Sequence, residues 1–262
     1  MPATVETDPH RWISVLRASQ QRLHTLIDAR SPADLRAQSY DTEWTVAKVL
    51  SHLGSQAEIF GTFLDAALAG HDPRGNDSFP PIWNAWNQRD PDDQARDCLG
   101  TNDALIARLE GLSDAQLAES IKVFGMDLLV GDLGRLRVSE HAVHSWDIAV
   151  AFDPATTVAP DAVALLIDTL PQVVARAGKP QGVAADLHVA TTAPERHFAL
   201  TINGSVTLRS SEERATDGSL ELPAEAFLRL VYGRLDAAHT PSVARIDGAV
   251  TLDDLRRVFP GF

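Results

Sequence analysis

The segment RVSEHAVHSWDIAV, residues 137–150, concentrates groups that do chemistry: Arg137, Glu140, His141, His144 and Asp147. Glu140 and His144 are four residues apart. On a helix, at about 100° per residue, their side chains stand roughly 40° apart, one turn removed on the same face. A carboxylate and an imidazole so placed can supply two metal ligands, with a third from another element. They can equally form an i,i+4 ion pair on a solvated face, alone or with Arg137. The neighbours bear on this choice. Val138, Ala142, Val143, Trp146, Ile148, Ala149 and Val150 leave little room for a wide exposed face, and a buried carboxylate needs a partner. His141 precedes His144 by three residues and competes as a ligand. Arg137 lies three residues before Glu140 and seven before His144, on their face. It is a candidate for stabilising developing oxyanion charge, or a structural partner of Glu140 or another acid. Asp147 is placed to orient a ligand histidine from outside, or to cap a bundle contact.

His52, in VAKVLSHLGSQAEIF, is the candidate from a different element. Taken alone it reads as a core histidine with its hydrogen bonds met, or as the missing ligand. Gln56, one turn further on, lies on the same face. His10, His24, His71, His188, His197 and His239 show no comparable mutual spacing. The single cysteine, Cys98, excludes a disulfide framework and a cysteine-rich zinc site. Its setting, DQARDCLGTNDALIARL, reads as that of a small buried residue rather than a catalytic thiol.

The elements that must hold these residues are mostly helices. Asp8-Pro9 opens one that carries Trp12, Leu16, Leu23 and Ile27 at helical spacing. Thr45 caps a second, with Trp44 before it placed to pack on Val49 as a hydrophobic staple; Gly70 ends it. A third is predicted from near Pro91 to near Gly111. A short helix and connection follow over 113–132, and a fourth helix spans about Leu133 to Ala151. A further helix is expected over 161–177. Beyond Gly178 the pattern changes. GVAADLHVAT, HFALTI and SVTLRS alternate and are β-branched, so they read as strands, with a hairpin turn at Asn203-Gly204. PAEAFLRLVYGR reads as a helix, and the last segment as a short strand, a turn and a final helix. The expected fold is α+β: a helical bundle over 1–155 and a smaller α+β domain over 156–262.

With 262 residues, 44% hydrophobic and 23% charged, the chain has an ordinary globular composition. Its net charge of -13 argues against a nucleic-acid partner, which requires a basic footprint, and against an anionic membrane surface. The polar, acidic start MPATVETDPHRW shows no secretory signal, and no apolar run approaches the roughly 20 residues of a membrane helix. The expected location is the cytoplasm.

EWTVAKVLSHL together with RVSEHAVHSWDIAVA resembles the mycothiol-dependent maleylpyruvate isomerase family of the DinB-like superfamily. The tail FLRLVYGRLDA…IDGAVTLDDLRRVFPGF is similar to that family's C-terminal domain. The resemblance implies a DinB-like four-helix bundle holding a divalent metal, usually zinc, with His52, Glu140 and His144 as ligands. His141 then lies outside the triad. It also implies mycothiol as thiol cofactor or co-substrate, and a small electrophilic, unsaturated acid-like substrate changed by cis–trans isomerisation or S-transfer. Two departures are visible. Glu43 stands where an Asp commonly precedes the Trp, and Lys48 where an acidic residue is frequent. Three nitrogen or oxygen ligands leave positions open, which suits catalysis. Arg137 is the candidate for stabilising enolate charge. Two other readings stand beside this one: a non-catalytic small-ligand-binding protein with a vestigial metal site, and a metal-assisted hydrolase. The partners expected are a small-molecule substrate and a low-molecular-weight thiol, for a monomer or weak homo-oligomer.

Overall fold

The computed structural model describes residues 5–73, 75–211 and 217–261. The ends of both expected domains, at residues 1–4 and 262, lie outside them. The chain forms two compact units, one running Thr7–Thr156 and the other built chiefly from Thr157 onward.

The first unit contains α1 (Pro9–Asp28), α2 (Pro32–Leu35), α3 (Val46–Leu68), α4 (Phe79–Asn87), α5 (Pro91–Glu110), α6 (Asp114–Leu117), β1 (Ser120–Val123), β2 (Met126–Leu129) and α7 (Asp132–Ala149). Four long helices make the bundle. α1 packs on α5 and α7, and α3 on α5 and α7, so the ring order is α1–α5–α3–α7. Their starts follow from local chemistry. The Asp8 carboxylate accepts from the His10 N–H at the head of α1, and the Thr45 hydroxyl accepts from the Lys48 N–H at the head of α3. The bundle core includes Leu23, Val49, Leu50, Leu53, Trp86, Cys98 and Ile148, all buried.

Two elements depart from expectation. Residues 120–129 form a small antiparallel hairpin rather than part of a helix and connection. It turns at Phe124 and Gly125, both with positive φ (50° and 81°). The backbone conformation, unusual for Phe124, is backed by its ring packing on Phe60, Phe63 and Phe79 at centroid distances of 6.1, 5.2 and 5.6 Å. The segment before Pro91 holds the extra helix α4, whose buried residues are Phe79 and Trp86.

The second unit contains α8 (Pro160–Leu166), α9 (Leu170–Ala177), β3 (Ala185–Thr192), β4 (Arg196–Asn203), β5 (Ser205–Ser210), β6 (Gly218–Pro223), α10 (Ala224–Val231), β7 (Arg245–Gly248) and α11 (Leu252–Val258). The helix expected over 161–177 is divided by a 3-10 turn at Ile167–Thr169, and Pro171 lies in the first turn of α9. The five-stranded sheet has the order β5-β4-β3-β6-β7, with β3 and β6 parallel and the other pairs antiparallel. Leu187, Val189, Phe198, Leu200 and Ile202 fill its buried face. The β4–β5 hairpin turns at Gly204, φ 69°, where the Asn-Gly pair predicts it. Strand β6 was not expected; its single Gly-Ser-Leu-Glu-Leu-Pro stretch is short and carries a Pro at its end.

Candidate metal centre

His52 sits mid-way along α3, and Glu140 and His144 share one face of α7. The seam between these helices brings the three together. Their ligand atoms all lie within 4.8 Å of one another. His52 Nε2 is 3.0 Å from Glu140 Oε2, and His144 Nε2 is 3.7 Å from the same oxygen. The imidazole rings meet edge to face with centroids 4.7 Å apart. The cluster is neither sealed nor on the open surface: side-chain exposures are 23% for His52, 36% for Glu140 and 13% for His144. A ligand arriving from outside can reach it.

The donor set fits a divalent cation. Two donors each roughly 2.0–2.1 Å from a tetrahedral zinc ion stand about 3.3 Å apart, and the 3.0 and 3.7 Å separations from Glu140 Oε2 bracket that spacing. The orientation of His144 fits as well. Its Nδ1 lies 2.9 Å from Oδ2 of Asp147, whose side chain is fully buried. A carboxylate there accepts a hydrogen bond from Nδ1–H and leaves the Nε2 lone pair directed at the cluster. The Tyr40 N–H donates to the Asp147 carbonyl at 3.0 Å, tying the loop after α2 to this turn of α7. Burial opposes ionisation of Glu140, but the hydrogen bond from His52 and the nearby His144, His52 and Arg137 charges bring its pKa down to about 2. Burial lowers the pKa of His52, against the opposing pull of Glu140. Glu140 is therefore ionised and His52 uncharged in the neutral range, the states in which a carboxylate and an imidazole can bind a metal.

His141 is accounted for differently. It is fully buried and turned towards α1, where Nδ1 lies 3.0 Å from Ser19 Oγ and Nε2 3.0 Å from Gln20 Oε1. Both ring nitrogens are used within the bundle core, and it stands apart from the cluster. Cys98 is also buried, with its thiol pushed up to about 12 by burial. That leaves it a poor nucleophile.

Arg137 lies beneath the cluster and has no exposed surface. Its Nη2 donates to the Leu53 carbonyl at 3.2 Å and to Asn102 Oδ1 at 2.8 Å, and the guanidinium lies 5.4 Å from the Phe60 ring centroid. Burial pulls its pKa down to about 10, so it stays charged in the neutral range.

One residue of the site escaped the sequence reading. Trp44, expected only to pack beside Val49, does pack against the cluster that contains Val49. It also lays its ring against both histidines, 5.2 Å from His52 and 6.1 Å from His144 between centroids. The only hint was its place just before the helix cap, from which a side chain folds back along α3. Trp146 is buried, donates from Nε1 to the Thr156 carbonyl at 2.9 Å and meets the Tyr40 ring.

The first unit is a four-helix bundle with a two-histidine, one-carboxylate cluster on its seam. The chain belongs to the family defined by the mycothiol maleylpyruvate isomerase N-terminal domain, which matches residues 16–149, more than half of its length. Among solved structures it is similar to the mycothiol-dependent maleylpyruvate isomerase, at TM-score 0.69 and 11% identity, over 94% of this chain and 95% of the other. The H52A mutant of that enzyme aligns with the same figures. YfiT from Bacillus subtilis, described as a probable metal-dependent hydrolase with an unusual four-helix bundle topology, aligns over 58% of this chain and 90% of its own, at TM-score 0.44 and 19% identity. No curated protein matches the sequence significantly. Among the described residues, no helix is long and apolar enough to cross a membrane.

Proposed function

We propose that this chain is a metal- and mycothiol-dependent enzyme acting on a small electrophilic, unsaturated acid by cis–trans isomerisation or S-transfer. The observation that carries this reading is the convergence of His52, Glu140 and His144, with Asp147 behind His144, on a face open to incoming ligands. Family membership supports the choice of thiol. So does Cys98: the chain's only thiol is buried, so a sulfur nucleophile has to come from outside.

His52, Glu140 and His144 hold the divalent cation, for which the nitrogen and oxygen donors suit zinc. The cation, when bound, lowers the pKa of an entering thiol so that thiolate is available at neutral pH. Asp147 fixes the His144 tautomer. Trp44 walls the two imidazoles on one side. Arg137 contributes a fixed positive charge beneath the site, favouring the enolate that forms as sulfur adds to the activated double bond. In isomerisation the C–S bond forms while the π pair moves onto the enolate oxygen. The former double bond rotates, and the pair returns as the C–S bond breaks. In S-transfer the adduct is protonated and keeps the sulfur.

Zinc-dialysed wild-type protein is expected to carry a single zinc ion per chain, with His52→Ala, Glu140→Ala and His144→Ala each losing it. Metal retained by all three variants sinks the assignment. Turnover of an unsaturated keto acid is expected only when mycothiol is added; thiol-independent hydrolytic activity points instead to water as the nucleophile.

A further inference from the structure

Two histidines outside the metal centre meet on the five-stranded sheet: His188 on β3 and His197 on β4. The antiparallel register brings them together. His188 is opposite Ala199 and His197 opposite Ala190, which makes the histidines diagonal neighbours. Both side chains belong to the face away from the buried Leu187, Val189, Phe198 and Leu200, and both are part-exposed. Their direct partners are alanines, so no large side chain stands opposite either ring. β3 and β4 are each paired on both sides, and their backbones hold the pair in place.

The two rings are set as two ligands of one ion are set. His188 Nε2 lies 3.3 Å from His197 Nδ1, the ring planes differ by 12° and the centroids stand 5.3 Å apart. Two imidazoles bound to one tetrahedral ion at roughly 2.0–2.1 Å place their nitrogens about 3.3 Å and their centroids about 5.2 Å apart. A straight N–H···N bond of the same length separates the centroids by about 5.6 Å. The observed rings match the first arrangement more closely. Glu195 adds to it from behind. Its Oε1 lies 3.4 Å from His197 Nε2, where it accepts from Nε2–H and leaves the Nδ1 lone pair towards His188. Asp147 stands behind His144 in the same way. The register also places Glu221 beside Ala190 and Arg209 beside Ala199. These charges are of opposite sign and offset one another, so the two imidazoles decide what binds. Imidazole nitrogens suit late first-row divalent ions.

We propose that His188 and His197 form a second, exchangeable cation site on the sheet of the second unit, which takes a zinc-like divalent ion with water at its remaining positions. With two protein ligands instead of three, it holds the ion more loosely than the metal centre does. The ion occupies the place of the proton between the rings, and His188 carries its proton on Nδ1 instead. The site stands independently of the metal-centre reading.

Calorimetric titration with zinc tests it, on full chain first loaded with zinc and dialysed free of excess metal, with the histidine ring signals followed by NMR. One further ion per chain is expected to bind, moving the ring signals of His188 and His197. His188→Ala and His197→Ala each weaken this event at least about tenfold, since the loss of even a residue behind a metal ligand costs that much. His52→Ala, which empties the metal centre, leaves it unchanged. Should either alanine variant fail to fold, His188→Gln and His197→Gln, which keep a polar side chain but remove the imidazole, are expected to show the same loss. Absence of the event in wild type overturns the inference. So does an event of full strength in both folded variants, which marks an adventitious ion only. A wild-type chain that keeps no zinc through dialysis overturns the metal-centre reading and leaves this site to be judged by its own variants.

Discussion

Two histidines one turn of sequence apart on α7 end in opposite situations. His144 faces the α3 seam and His141 faces α1, with Ser19 and Gln20 holding both its nitrogens. The i,i+4 spacing of Glu140 and His144 was readable in the sequence, and so was the candidacy of His52. The sorting of His141 was not, because it depends on which helix faces which side of α7. Nor were Trp44 and Asn102, whose contacts come from residues far away in sequence. Their burial and partners make the difference in proton affinity measurable. Burial, with the positive charges of Arg137, Arg22, His144 and His24, pushes the His141 pKa down to about 3 from an ordinary 6.5. Between those values the unfolded chain binds a proton that the native state refuses. Stability of the metal-free protein is therefore fully present above about pH 6.5 and declines as pH falls towards 3. Urea unfolding from pH 7 to pH 4 should give a steeper loss for wild type than for His141→Gln, which keeps a polar side chain without the titration. Identical slopes would show that His141 does not titrate in this way.

At the level of elements, α3 is the scaffold on which the site depends. It packs on α5, α4 and α7 and carries His52, Gln56 and Phe60 along one line. Gly54 permits its approach to α4: an added Cβ would stand inside van der Waals contact of the Trp86 ring. That ring is fully buried and tied by Nε1 to Glu58 Oε2 at 2.7 Å, so it has little freedom to yield. Gly54→Ala should destabilise the protein by about 1 kcal/mol net, an overpacking cost of about 2 kcal/mol outweighing the roughly 1 kcal/mol that alanine contributes within a helix. A urea midpoint equal to or above that of wild type contradicts this account. The long helices could be read because their apolar periodicity and caps act locally. The β1–β2 hairpin could not, since Phe124 occupies a turn position that favours Asn, and only aromatic packing on distant helices holds it there. Strand β6 was missed for a related reason: its pairing with β3 is parallel and leaves no turn signal between the two.

For the whole molecule, every proposed ligand of the metal centre, together with Asp147, Trp44 and Arg137, belongs to the unit Thr7–Thr156. The change from helical periodicity to strand alternation was visible in the sequence. The strand order was not, because order is a property of long-range pairing. Filling that centre should then stabilise this unit selectively, by roughly 2.7 kcal/mol at a free concentration one hundred times the dissociation constant. Hydrogen exchange on the intact chain should slow on addition of one equivalent of zinc in α3 and α7 and remain unchanged in the five-stranded sheet. Equal protection of the sheet would contradict a site confined to the bundle. The position of Trp44 has one more consequence. Its indole rests within 6.1 Å of both imidazoles, near enough for a paramagnetic ion held between them to quench its emission. Set against Trp44→Phe to subtract the other four tryptophans, occupancy of the centre becomes an optical signal intrinsic to the protein, readable without a label in the time of a stopped-flow mixing.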